Sequence, residues 1–259
     1  MLPYIFTRII RKLSLAAGIA KPYPGVDVFE TKDLALAERR LADGGDLTRM
    51  FLEHSGRPLH KWLQYIPVYE KWLAPYRGTP VRILEIGVSD GGSLQLWRRY
   101  FGDAATIYGI DINPACAERF EAPNQVRIGS QADADFLKSV AGEMGTIDII
   151  IDDGSHVASH QRISFETLFP LLKDGGLYVV EDTHSSYWEG VYEGGLRRPG
   201  TAVEYFKAMI DDQHAWYHTG ARRSSANETI SAIHFYDSII LLEKQMKGPP
   251  LNIGLPIRP

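Results

Sequence analysis

From Val81 onward, short apolar runs alternate with longer stretches in which apolar residues recur at helical spacing. Short runs bounded by turn residues and separated by helical stretches are the pattern of a parallel sheet joined by crossover helices and buried on both faces. The runs predict strands at Arg82–Ile86, Thr106–Ile110, Gln125–Ile128, Ile147–Ile151, Leu177–Glu181, Ile230–Phe235 and Ser238–Glu243. Helices fit between them at Ser93–Phe101, Pro114–Phe120, Ala132–Ala141, Ser159–Leu172 and Ala202–His214. The last two strands are separated only by a tight turn at Tyr236-Asp237, too short for a parallel crossover, so they must pair antiparallel. The expected fold is α/β: a Rossmann-like, mostly parallel sheet of seven strands whose last strand is antiparallel.

Ahead of the sheet the pattern is helical, over Asp33–His54 with a break at Gly44-Gly45, and over His60–Tyr76, ended by Arg77-Gly78-Thr79-Pro80. This divides the chain into an N-terminal helical extension, 1–78, and a Rossmann-like domain, 79–259, with an insertion at about 184–200. Within residues 1–20, Leu2, Ile5, Phe6, Ile9, Ile10 and Leu13 fall on one helical face, while Arg8, Arg11 and Lys12 break the apolar run far short of a membrane span. A basic amphipathic helix of this kind either touches a membrane surface peripherally or packs on its own domain or on a second subunit.

Charge narrows the partners. The 259 residues carry a formal net charge of -4, which argues against nucleic acid, because phosphate neutralisation needs a surplus of Lys and Arg on one face. The single cysteine, Cys116, excludes an internal disulfide and suits a reducing cytoplasm. The expected setting is a cytoplasmic homo-oligomer acting on a small-molecule or glycan acceptor.

Leu84-Glu85-Ile86-Gly87-Val88-Ser89-Asp90-Gly91-Gly92-Ser93 reads as a strand, a glycine turn and a helix start, where a ligand approaches the main chain closely. Asp111 ends the next strand, where an acidic side chain can take both hydroxyls of a ribose. The turn is spaced Gly-x-x-x-Gly after a Glu instead of Gly-x-Gly-x-x-Gly, and no Tyr-x-x-x-Lys occurs, which favours S-adenosylmethionine over NAD. With these motifs the chain resembles the class I methyltransferases. The resemblance implies that Glu85, Gly87 and Ser93 surround the methionine part, that Asp111 holds the ribose and that Gln131 lies near the adenine. Asp152, at the end of the fourth strand, is placed with these cofactor contacts.

The fourth strand runs into Asp152-Asp153-Gly154-Ser155-His156 and the fifth into Glu181-Asp182-Thr183-His184. In an open parallel sheet these tips adjoin the ligand crevice. Asp152, Asp153, Glu181 and Asp182 cannot share a small cleft uncompensated, and a hard divalent ion, Mg²⁺ or Mn²⁺, is the simplest compensation. His156 is the candidate general base for a hydroxyl held there. A simpler reading of Asp153-Gly154-Ser155-His156 is a capped turn before a helix.

This block, followed by Thr183-His184-Ser185-Ser186-Tyr187-Trp188, and His234-Phe235-Tyr236-Asp237-Ser238 further on, resembles a narrower group. These are the metal-dependent macrolide-sugar O-methyltransferases of the mycinamicin type, with relatives acting on mannosides and rhamnosides. The resemblance spans roughly residues 61–243 and implies Asp153, Glu181 and Asp182 as metal ligands and His156 as base. In the insertion, Tyr187 and Trp188 are expected to stack on a sugar or to form an oligomer contact. His60, Tyr65 and Tyr69 either form the opposite wall of the acceptor site or pack into the core.

Two other readings compete: a magnesium-dependent catechol-type O-methyltransferase with apolar walls beside the metal, and a non-catalytic scaffold homologue that binds nucleoside. A hydroxylase is disfavoured because no two-His-one-carboxylate iron set is visible.

Overall fold

A computed structural model describes residues 31–219 and 228–255. Its centre is a seven-stranded sheet in the order β3-β2-β1-β4-β5-β7-β6. The strands are β1 (Arg82–Ile86), β2 (Thr106–Asp111), β3 (Gln125–Ile128), β4 (Ile147–Asp152), β5 (Leu172–Val180), β6 (Ile230–Tyr236) and β7 (Ile239–Lys244). The first five pair in parallel; β7 runs antiparallel between β5 and β6. Strand order reverses between β1 and β4, and a ligand crevice opens at such a point beyond the carboxyl ends of the strands.

The helices are α1 (Leu34–Arg40), α2 (Asp46–Leu52), α3 (Tyr65–Leu73), α4 (Gly92–Phe101), α5 (Ala134–Met144), α6 (Ala158–Leu168) and α7 (Ala202–Gln213). One apolar layer packs α5, α6 and α7 against one face of the sheet. The other packs α3 and α4 against the opposite face: Tyr65, Val68, Tyr69 and Leu73 meet Trp97, Phe101, Ile149 and Val179. Residues 31–78, read from the sequence as part of an extension, therefore include a helix that shares the core of the sheet.

The elements differ from the expected ones where proline or a short connection intervenes. The expected helix from His60 begins only at Tyr65, because Pro67 is tolerated in a first turn and not in a helix interior. Residues 60–64 stay outside the helix, and Lys61 hangs from that segment over the strand tips. Pro170 likewise ends α6, which continues as a short 3₁₀ turn at Phe169–Leu171, so β5 begins at Leu172 instead of Leu177. Between β2 and β3 the expected helix is a 3₁₀ turn at Pro114–Glu118, started by the Asn113 side chain accepting from the amide of Ala115. The candidate amphipathic helix at 1–20 lies outside the described residues. Among the described residues, no helix is long and apolar enough to cross a membrane.

The turn after β1 is set by close backbone approach. Gly87 has φ +98°, and a Cβ there would sit 2.0 Å from the carbonyl oxygen of Asp153. The turns after β1 and β4 thus touch through main chain, which only glycine permits. Gly87→Ala is expected to lower the unfolding free energy by about 2 kcal/mol or more, since either φ or the Asp153 backbone must shift. Urea unfolding of the two proteins checks this; equal midpoints would show that the contact is dispensable.

Candidate active site

Hydrogen bonds continue the ladder past the strand ends: Gly87 N–H donates to Ile110 O, Asp153 N–H to Ile86 O and Glu181 N–H to Asp152 O. Adjacent tips of β2, β1, β4 and β5 therefore carry Asp111, Glu85, Asp152-Asp153 and Glu181-Asp182 into one crevice. The adjacency of these tips expected from the strand order is present.

On the glycine-turn side, Glu85 is fully buried and accepts from the Ser93 hydroxyl at 2.8 Å. Its other oxygen, Oε1, accepts no hydrogen bond. Burial pushes the Glu85 carboxyl up to about 7, against the opposing pull of the Lys61 charge. Asp111 binds backbone: Oδ2 accepts from the amides of Val88 and Ser89, each at 3.0 Å, and Oδ1 from Asn113 at 2.8 Å. It fixes the shape of the glycine turn while remaining at the mouth of the crevice.

Gln131 is buried, but its side chain is spent within the protein. Its Nε2 donates to Asp152 Oδ1 at 3.0 Å, and its Oε1 accepts from the amide of Ser155 at 2.6 Å. Asp152 is fully buried and also accepts from the hydroxyls of Ser164 and Tyr178. Burial raises Asp152 to about 6 although these hydrogen bonds favour its charged form. Gln131 and Asp152 thus form a buried clamp that holds the Ser155-His156 turn in place.

The acidic side divides into two. Asp153, His156 and Asp182 have potential ligand atoms all within 4.8 Å of one another. His156 adopts a left-handed backbone, φ +57°, that turns its ring inward, with Nε2 3.5 Å from Asp182 Oδ2. Its Nδ1 is sealed from solvent and has no hydrogen-bond partner, so Nε2 is the nitrogen that faces the cleft. Glu181 is not one of this trio. It accepts a short hydrogen bond from Tyr69 and a 2.6 Å ion pair from Lys61. The same ammonium lies 2.6 Å from Asp153 Oδ2 and 3.8 Å from Glu85 Oε1. Burial works against the Lys61 charge, yet Asp153, Glu181 and Glu85 together hold its pKa well above the ordinary value. Burial and the neighbouring Asp153 raise Glu181 in turn, even with Lys61 beside it.

The sequence reading assigned neither Lys61 nor Tyr69 a place among the carboxylates. No motif marks a lysine outside regular structure; the available signal was the excess of acid at the tips, which a lysine can answer as well as a metal.

Tyr65, an expected wall residue, is fully buried, with its hydroxyl 2.8 Å from Asp182 Oδ1. That hydroxyl also meets Ser238 in the β6–β7 turn, whose carbonyl accepts from Thr183 N–H at 3.0 Å and whose Oγ bonds His184. The antiparallel hairpin thus braces the loop that carries Asp182. His60 is exposed. Tyr187 is 51 % exposed. Trp188 stands in an aromatic series: Trp62 lies 5.2 Å from His184, His184 4.6 Å from Trp188, Trp188 5.9 Å from Tyr192 and Tyr192 6.2 Å from His156, between ring centres. The insertion is tied to the start of α6, where Glu193 accepts from the amide and hydroxyl of Ser159 at 2.8 and 3.0 Å. Val157, the residue before α6, has no capping side chain of its own, but the Ser155 hydroxyl accepts from its amide at 3.3 Å and lies 2.9 Å from His160 Nδ1, so the turn after β4 and the Glu193 carboxylate both meet the helix N-terminus.

Because the folded chain holds a proton on Glu85 that the unfolded chain releases above about pH 4.5, folding is favoured in acid. That advantage disappears as pH rises through about 7 and amounts to about 3 kcal/mol. Urea unfolding from pH 4.5 to 7.5 is expected to show a shallower decline of stability for Glu85→Gln than for wild type; parallel curves would mean that Glu85 is ionised throughout.

Residues 84–183 match the family described as Methyltransferase domain. The chain is 38 % identical over 213 residues to a rhamnosyl-tetracenomycin-C 3'-O-methyltransferase of Streptomyces olivaceus, covering 77 % of this chain and 54 % of that protein. It is 37 % identical over 198 residues to the mycinamicin VI 2''-O-methyltransferase of Micromonospora griseorubida, covering 70 % and 48 %. It superposes with TM-score 0.66 on the MycE methyltransferase of the mycinamycin biosynthetic pathway in complex with Mg, SAH and mycinamycin VI, at 33 % identity over 84 % of this chain and 54 % of that one. The chain spans about half the length of the curated relatives it matches. Residues 84–183 thus carry a methyltransferase domain, and the sequence relatives that the chain matches are sugar O-methyltransferases.

Proposed function

We propose that this chain is an S-adenosylmethionine-dependent, divalent-metal-assisted O-methyltransferase acting on a sugar hydroxyl of a glycosylated small molecule. The observation that carries the reading is the trio Asp153, His156 and Asp182, gathered at one crevice beside the Gly87 turn and Glu85. Hard carboxylate oxygens suit Mg²⁺ or Mn²⁺, and an imidazole nitrogen faces the same point. Glu181 joins Asp153 and Asp182 as a ligand if Lys61 yields. The cofactor lies along Glu85, Gly87 and Ser93, with the methionine part beside the Glu85–Ser93 pair, and Asp111 receives the ribose. Gln131 borders the adenine through its backbone, since its side chain is engaged.

A divalent ion supplies a Lewis acid that acidifies the acceptor hydroxyl, and S-adenosylmethionine supplies an electrophilic methyl group whose loss leaves a neutral thioether. His156 takes the hydroxyl proton at Nε2, and Asp182, 3.5 Å away, faces the imidazolium so formed. Tyr65 and Ser238 hold Asp182 for that task. No acid is needed on the leaving side, so one base suffices. Trp62, Trp188 and Tyr192 offer ring faces on which a pyranose stacks, with His60 and Tyr187 at the rim. The net charge of -4 agrees with a neutral acceptor and not a nucleic acid.

Calorimetry is expected to show S-adenosylmethionine binding to wild type and its loss in Asp111→Ala; no binding to wild type would remove the methyltransferase reading. With rhamnosylated acceptors, turnover should stop on chelation and return with Mg²⁺, and His156→Asn should lower it by roughly 10²–10⁴-fold with the cofactor still bound. Turnover that survives chelation would exclude the metal.

A further inference from the structure

Lys61 occupies the point to which a small cation would be drawn. Its ammonium makes two 2.6 Å contacts, to Asp153 and Glu181, and its side chain is 2 % exposed. Both carboxylates belong to the proposed ligand set, so a divalent ion held by Asp153 and Glu181 competes with this ammonium for them. Like charges at that separation repel strongly in a buried cleft, so both cannot keep those contacts.

The chain provides somewhere for the ammonium to go. Glu85 Oε1 is buried, accepts no hydrogen bond and lies 3.8 Å from the Lys61 nitrogen. A buried charge that loses one partner must find another, and this oxygen is within reach of a small rotation of the four-carbon stem. Lys61 also precedes α3 and so is not held by helix hydrogen bonds, while Trp62 anchors the segment against His184.

We propose that Lys61 is a tethered competitor for the divalent cation. It holds Asp153 and Glu181 while the metal is absent and is displaced toward Glu85 when the metal arrives. Lys61 is thereby a positioning residue: it keeps mutually repelling carboxylates in place, weakens metal affinity to a reversible range and links the metal side of the crevice to the glycine-turn side. The inference rests on the metal reading of the preceding subsection.

The test is Mn²⁺ binding to the full chain, read by electron paramagnetic resonance without cofactor or acceptor, with circular dichroism to verify folding. Lys61→Met and Lys61→Gln are expected to bind Mn²⁺ at least about tenfold more tightly than wild type, because a competing positive charge is gone. Lys61→Arg, which restores the charge, should lose that gain. Equal or weaker binding by the folded Met and Gln variants would overturn the proposal while leaving the metal reading intact; absence of binding to wild type would overturn both. Should neither variant fold, Glu85→Gln decides. At about pH 8, where that carboxyl is ionised, the change removes the charge that receives the displaced ammonium, so Mn²⁺ should bind several-fold more weakly; unchanged affinity would overturn the proposal.

Discussion

Carboxylates crowded at the tips of buried parallel strands repel one another and lose their hydration, so positive charge must be brought to them or protons retained. Much of this protein's architecture around the crevice answers that requirement. Lys61 descends from the segment before α3 into the space between Asp153, Glu181 and Glu85. Tyr69 and Tyr65, from the next turns of the chain, donate to Glu181 and Asp182. Asp152 is shielded separately by Gln131, Ser164 and Tyr178. Residues 61–69 are thus electrostatically part of the site, and α3, which supplies both tyrosines, is held there by its packing in the core.

The same requirement assigns the acidic residues different work. Asp152 and Gln131 are consumed in holding the turn that presents His156. Glu181 is turned inward. Asp153 and Asp182 remain beside the imidazole at the cleft. Two left-handed residues, His156 and Asp182, give the turns after β4 and β5 the curvature that points their side chains at each other. The β6–β7 hairpin contributes through its turn, where Ser238 meets Tyr65, Thr183 and His184. The antiparallel ending of the sheet therefore has a mechanical consequence at the site and is not only a marker of fold.

Strand-by-strand, the sheet was legible because period and run length are local properties: β1, β3 and the antiparallel ending follow from apolar patterning and a short turn. Element ends were less so. Pro67 and Pro170 moved a helix start and a helix end by sterics that compete with apolar periodicity. The glycine turn, Asp111 and the acid-rich tips could be named from motif and strand position, since a parallel sheet gathers the residues that follow its strands.

The sequence by itself determined that acidic groups would converge at one sheet edge next to a glycine turn and a histidine, because strand order and direction bring them there. Only the tertiary structure decided which carboxylates face one another, which are paired and with what. Lys61 reaches the site from a segment far away in the chain, and neither its spacing nor its residue type announces it, while the contacts of Tyr69 and Ser238 with Glu181 and Tyr65 are set by packing. Side-chain direction at a strand tip is set by the loop that follows and by whatever long-range partner satisfies the charge, and that partner is chosen by packing.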